Sequence, residues 1–282
     1  MQEDHPVWRE DCLSRIPLVQ SETSRLSALW RGLSDEEWDR DTFCPGWTAA
    51  TAISHVTTGG AFYHNTVRRA LDGLPPEPPY GGDAKEFWAI RKVKGEELMA
   101  LPRAEMMDIF DSTSADLQES LERITEADLD KPGYHPRGLT NLKAWIGMRL
   151  VELVVHDWDV RFEKESPCAV VPQGAEGMLV FIPDTLARLF NVRDKQPFEG
   201  RFHFRSTAPG RGWTLEVAGE EASVSAEVSG DYDAVIETDA EAHLLLPYGR
   251  LKREEAEKDG RLRVEGDVSA AGRLLGVVYC KY

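Results

Sequence analysis

Residues 149–162 read RLVELVVHDWDVRF, and this stretch decides how the first half of the chain folds. Leu150, Val151, Leu153, Val154, Val155, Trp158 and Val160 are the makings of a helix interior. Glu152 and His156 stand among them, with Asp157 and Asp159 close behind. An α-helix turns once in about 3.6 residues, so positions i and i+4 share one face. The carboxylate and the imidazole therefore point the same way out of an apolar helix. Helical bundles build metal sites in this manner, from Glu and His projecting inward from facing helices. A pair of ligands on one helix needs a third from another.

The best third ligand is His55, in TAISHVTTGG (residues 51–60), one turn into a helix whose neighbours Ala49, Ala52 and Ile53 are small or apolar. His64 lies about 900° further round and faces away. His5, His135, His203 and His243 fall in a terminus, a loop, a strand and the second domain. Two imidazoles and a carboxylate suit a catalytic zinc ion with its fourth position open. The same set binds iron(II), and other divalent ions fit it too. Asp159, one turn beyond His156, is a candidate acceptor for that ring's second N–H. Plainer readings stand beside this one. Glu152 could face solvent or bond only to His156, His55 could be a structural histidine, and HDWD could be a solvated acidic helix end.

Outward from this stretch, the first half reads helical. Trp8, Cys12, Ile16, Val19, Leu26, Leu29 and Trp30 form a stripe over residues 7–31, with Pro17 as a kink. Ser34 and Glu37 make a capping box. Thr48 caps a helix running to Leu71, and helices follow over 83–101 and 103–124. DLDKPGYHPRG is a loop, and Thr140 caps the helix that carries Glu152 to about Lys164. ESPCAVVPQG reads as a domain boundary, followed by a helix over 174–190. RFHFRS, GWTLEVA, ASVSAEVSG, DAVIETD and LRVEGD then alternate with a period of two, as strands do. A helical pattern lies between the last two, and a helix closes the chain. The second half is therefore α+β.

Composition limits the function. The 282 residues carry 33 basic and 49 acidic side chains, a net charge of −16. Such a surface repels phosphate backbones and anionic lipid, so neither nucleic acid nor membrane is an expected partner. An anionic small-molecule substrate stays open, since a local arginine overrides the net field. There is no long apolar run and no secretory leader pattern, so the expected location is cytoplasmic. Cys12, Cys44, Cys168 and Cys280 are scattered and read as ordinary reduced thiols.

Two motifs carry a resemblance. CPGWTAATAISHV (residues 44–56) resembles the cPgWtvrdvlaHl signature of the mycothiol-dependent maleylpyruvate isomerase family. RLVELVVHDWDV resembles its second signature, about a hundred residues on. YDAVIETDAEAHLLLPYGR and LRVEGDVSAAGRLL are similar to the second-domain pattern of that family, so nearly the whole chain is covered. The resemblance implies an all-α DinB-like four-helix bundle over 1–165. It further implies a sterol-carrier-like α+β domain over 166–282 with a small, mostly antiparallel sheet. It places the zinc ligands on His55, Glu152 and His156, and an arginine of the second domain on Arg250, which could equally serve only as a helix-end charge. It implies a divalent metal, zinc above all, and a low-molecular-weight thiol such as mycothiol, used for cis–trans isomerisation or S-transfer. The segment from Asp83 to Arg103, the loop PPEPPYGG and HDWD depart from the family pattern and bear on the substrate. A metal-dependent hydrolase on the same site and a non-enzymatic binder of apolar ligands are the alternatives.

Overall fold

The computed structural model describes residues 11–162, 165, 168–192, 196–226, 228 and 230–279. Trp8, His5, the expected helix end at Lys164 and Cys280 lie outside the described residues. The chain divides between Val170 and Val171 into two compact units.

The first unit contains α1 (Ile16–Arg31), α2 (Asp35–Trp38), α3 (Ala49–Leu71), α4 (Ala84–Met99), α5 (Arg103–Glu122) and α6 (Leu142–Arg161). α3 packs on α5 and α6, and α1 packs on the same two, which makes a four-helix bundle. α4 is an addition to it, laid mainly on α3 and burying only Phe87 and Arg91. Side-chain caps set the starts. The Ser34–Glu37 capping box is present, Thr48 accepts from the Thr51 N–H, and Asp83 accepts from the Glu86 N–H.

Two expected details change. Pro17 lies in the first turn of α1, where its missing N–H costs no helical bond, so it starts the helix after a turn at Ser14 and Arg15 instead of kinking it. The cap of α6 is Asn141, which accepts from the Ala144 N–H. Thr140 is held in a short ladder, β1 (Pro132–Gly133) with β2 (Thr140–Asn141), and pairs with Gly133.

Sixteen of the twenty residues of α6 are buried, so it is a central helix and its charged groups must find partners inside. Asp157 and Asp159 are 1% and 0% exposed, which removes the reading of HDWD as a solvated helix end. Asp157 pairs with Arg25 at 3.0 Å and with Arg161 at 2.9 Å. Aromatic rings fill the space between helices: Trp30 meets Phe110 at 5.1 Å, and Phe62 meets Trp145 edge-on at 5.2 Å.

The second unit starts with α7 (Pro172–Met178) and α8 (Ile182–Val192), where one helix was expected. Five strands follow: β3 (Phe198–Thr207), β4 (Gly210–Gly219), β5 (Glu221–Ser225), β6 (Ala234–Thr238) and β7 (Leu262–Gly266). Their order is β5-β4-β3-β6-β7, with β3 and β6 parallel and the other pairs antiparallel. The expected helical segment between β6 and β7 is two short helices, α9 (Ala240–Leu245) and α10 (Arg253–Lys258). Pro247 and a left-handed Gly249 (φ 71°) separate them. α11 (Val268–Val278) closes the unit. One face of the sheet supplies Phe202, Phe204, Trp213, Leu215 and Ile236 to a core with Leu186, Phe190 and Leu274. Among the described residues no helix is long and apolar enough to cross a membrane.

Candidate metal centre

The bundle places His55 beside both Glu152 and His156, although the ligand atoms of the three do not all lie within 4.8 Å of one another. His55 Nε2 stands 3.5 Å from Glu152 Oε1, and the His55 and His156 rings are 5.1 Å apart, edge to face. Two imidazoles sharing one tetrahedral ion, with bonds of about 2.1 Å, have centroids roughly 5 Å apart.

The turn CPGW builds the wall beside them. The Trp47 N–H donates to the Cys44 carbonyl at 3.0 Å, and Gly46 has φ 75°. Proline second and a left-handed glycine third are the residues such a turn requires. The turn lays Trp47 over both rings, 4.9 Å from His55 and stacked on His156 at 5.8 Å. It also brings the Cys44 thiol to Asp159, with Sγ 3.3 Å from Oδ2. His156 Nδ1 donates to the same Asp159 oxygen at 2.8 Å, so its other nitrogen, Nε2, is the one left to bind a metal.

Cys44, His156 and Asp159 form a possible metal group of their own, with ligand atoms all within 4.8 Å of one another. Cys44 was read as an ordinary thiol. The signal for it lay in CPGW, where the cysteine stands one turn of chain from the tryptophan that covers the histidines.

Glu152, 12% exposed in its side chain, stands among cations that stop short of it. Arg91 Nη2 is 3.7 Å from Oε1, Arg149 Nη1 is 3.8 Å from Oε2, and Oε2 has no hydrogen-bond partner among the described residues. The unbonded oxygen, Oε2, lies on the side of Arg149 and Gly59, whereas His55 approaches Oε1. Burial opposes its charge, but His55, Arg91 and Arg149 outweigh burial and hold its pKa down to about 2. Burial, helped by Arg91, pushes His55 down to about 4, against the pull of Glu152, so the ring is a neutral donor at pH 7. The Tyr63 phenol is pushed well up, by burial first and then by the Glu152 charge.

Gly59 makes room for this carboxylate. A Cβ there would lie 2.5 Å from Glu152 Oε2 and 3.0 Å from Arg91 Nη2. Gly59→Ala should gain about 1 kcal/mol of helix propensity. It should also displace the carboxylate and weaken metal binding by roughly tenfold or more. A metal titration of the variant that matches the parent chain would contradict this.

Arg250 belongs to the second unit, where its Nη1 donates to the Tyr248 carbonyl at 2.7 Å.

A DinB-like helical bundle joined to an α+β unit is the class of protein that these two units define. Residues 19–161 match the family described as mycothiol maleylpyruvate isomerase N-terminal domain, and residues 191–278 match the SCP-2 sterol transfer family. The chain belongs to the mycothiol maleylpyruvate isomerase N-terminal domain family. A crystal structure of a histidine-to-alanine mutant of mycothiol-dependent maleylpyruvate isomerase is similar at TM-score 0.58 and 14% identity, covering 91% of this chain and 92% of that one. The structure of that isomerase without the substitution matches at TM-score 0.56 and 15% identity, over 87% and 90%. These likenesses extend the shared fold to both units. No curated protein matches the chain in sequence.

Proposed function

We propose that this chain is a divalent-metal enzyme in which His55, Glu152 and His156 hold the ion, zinc above all. On this reading it activates a low-molecular-weight thiol, mycothiol or a similar one, for cis–trans isomerisation or S-transfer on a small-molecule substrate. The observation that carries the reading is the approach of His55 to Glu152 Oε1, with the His156 ring edge-on beside it, in a chain of this family. When bound, the ion would make a coordinated thiol acidic enough to be a thiolate at neutral pH. The chain's own residues prepare for that. Asp159 fixes the His156 ring, Trp47 packs against both imidazoles, and His55, Arg91 and Arg149 favour the ionised form of Glu152.

The Cys44, His156 and Asp159 group favours a second reading, in which the ion sits on the other side of His156. Metal analysis of purified variants separates the two. The first reading expects His55→Ala to lose its zinc and Cys44→Ser to keep it, and the reverse result moves the ion to the second group. Negligible zinc in the parent chain would sink both. Turnover of maleylpyruvate with and without mycothiol tests the chemistry, and turnover indifferent to thiol would point to a hydrolase.

A further inference from the structure

We propose that Arg91 is the binding residue for an anionic group, a carboxylate or thiolate, on the ligand that occupies the metal centre. This rests on the metal reading above and adds a specificity element from α4, the helix outside the four-helix bundle.

Around Glu152 the structure places one carboxylate and two guanidiniums. Arg149 is the structural partner. It is 1% exposed, its Nη1 donates to the Val56 carbonyl at 2.9 Å, and its Nη2 donates to Ser114 Oγ at 3.1 Å. Both ends of that guanidinium are used inside the bundle. Arg91 is the surplus cation.

Arg91 is also fastened differently. Nη2 donates to the His55 carbonyl at 3.0 Å and lies 3.4 Å from His55 Nε2, and Nε reaches Thr58 Oγ1 at 3.4 Å. The guanidinium sits 5.6 Å from the centre of the Trp88 ring. Nη1 has no acceptor among the described residues, although the residue is only 6% exposed. A guanidinium with an unused pair of N–H groups on Nη1, held beside a candidate ligand nitrogen, is placed to receive an anion. In a chain of net charge −16, attraction for an anion has to be local. α4 gives up little else to the unit: besides Arg91 it buries only Phe87.

The test uses the full chain loaded with cobalt(II), whose visible spectrum reports both metal occupancy and changes at the metal. Acetate is the anionic probe, and acetamide is its neutral counterpart. Arg91→Met is expected to keep the cobalt spectrum and bind acetate about tenfold or more weakly, the scale of a lost charge-assisted hydrogen bond. Acetamide binding should not change, and Arg91→Lys should recover most of the acetate affinity. Equal acetate affinity in the parent chain and Arg91→Met would overturn the proposal. So would loss of cobalt in Arg91→Met with retention in Arg91→Lys, because Arg91 would then be scaffolding for the ligands. A parent chain that takes up no cobalt would overturn the metal reading itself, and this inference with it.

Discussion

A Glu152→Gln chain is expected to lose metal affinity by on the order of a hundredfold or more. It should also lose about 3–5 kcal/mol of folding stability when measured free of metal. The two losses share one cause. Glutamine keeps the shape of the side chain and removes its charge, leaving Arg91 and Arg149, both buried, without their counter-charge. Removing one partner of a buried ion pair costs far more than the pair contributes, because the remaining charge stays desolvated. The acid limb gives a second measure. The folded pKa of Glu152, about 2, lies below the ordinary 4.5, so its stabilisation is fully present above pH 4.5 and is lost as pH falls towards 2. That shift corresponds to roughly 3 kcal/mol. Urea unfolding at pH 7 and pH 3.5 reads both effects. An unchanged midpoint at pH 7, with undiminished metal uptake, would mean that Glu152 is neither ligand nor counter-ion.

The helices that carry the site could be read from the sequence because their signals are local. A capping threonine at Thr48, the Ser34–Glu37 box and Pro75 just beyond Leu71 mark ends that depend on near neighbours only. The i, i+4 relation of Glu152 and His156 is likewise a property of one helix, and each strand of the second unit shows its own alternation. What the sequence concealed is non-local. Arg91 and Tyr63 come to Glu152 from two other helices, and the spacing of residues 63, 91 and 152 in the chain contains no hint of that. The cap of α6 is Asn141 and not Thr140, one residue on, and both residues belong to the short ladder that precedes the helix. HDWD looked like a polar helix end because its two aspartates read as hydrophilic. Arg25 and Arg161 neutralise one, and His156 and Cys44 occupy the other.

Cys44 shows where a sequence reading can go further. A cysteine, proline, glycine and tryptophan in that order dictate a tight turn. The turn returns the cysteine and the tryptophan to the same place, so whatever Trp47 covers, Cys44 adjoins. The structure makes that place His156 and Asp159.

In the second unit, acid should act through one buried histidine, and replacing it should remove most of the effect. His243 is 1% exposed in α9, packed against Trp213 at 4.9 Å and Phe204 at 6.4 Å, and neither ring nitrogen has a hydrogen-bond partner among the described residues. Burial pushes its pKa down to about 3, and the Arg205 backbone and the Asp239 charge offset only part of this. The folded value lies below the ordinary 6.5, so between pH 6.5 and pH 3 the unfolded chain binds the extra proton. Stability from this group is fully present above pH 6.5 and is lost progressively as pH falls towards 3. Two pH units below 6.5 the loss is roughly 3 kcal/mol. His203, also lowered by burial, adds a loss of the same sign in the same unit. A variant is therefore needed to isolate His243. His243→Leu keeps an apolar side chain in the site and has no proton to take up. At pH 7 it should be as stable as the parent chain or more so, since the ring nitrogens it removes are unsatisfied. At pH 4.5 it should exceed the parent by about 2–3 kcal/mol. Trp213 is the one tryptophan in the sequence beyond Trp158 and lies in the core of this unit, so its own indole NMR resonance follows the unfolding of the unit. If both chains lose the folded Trp213 signal along the same pH curve, His243 is not the acid-sensitive group.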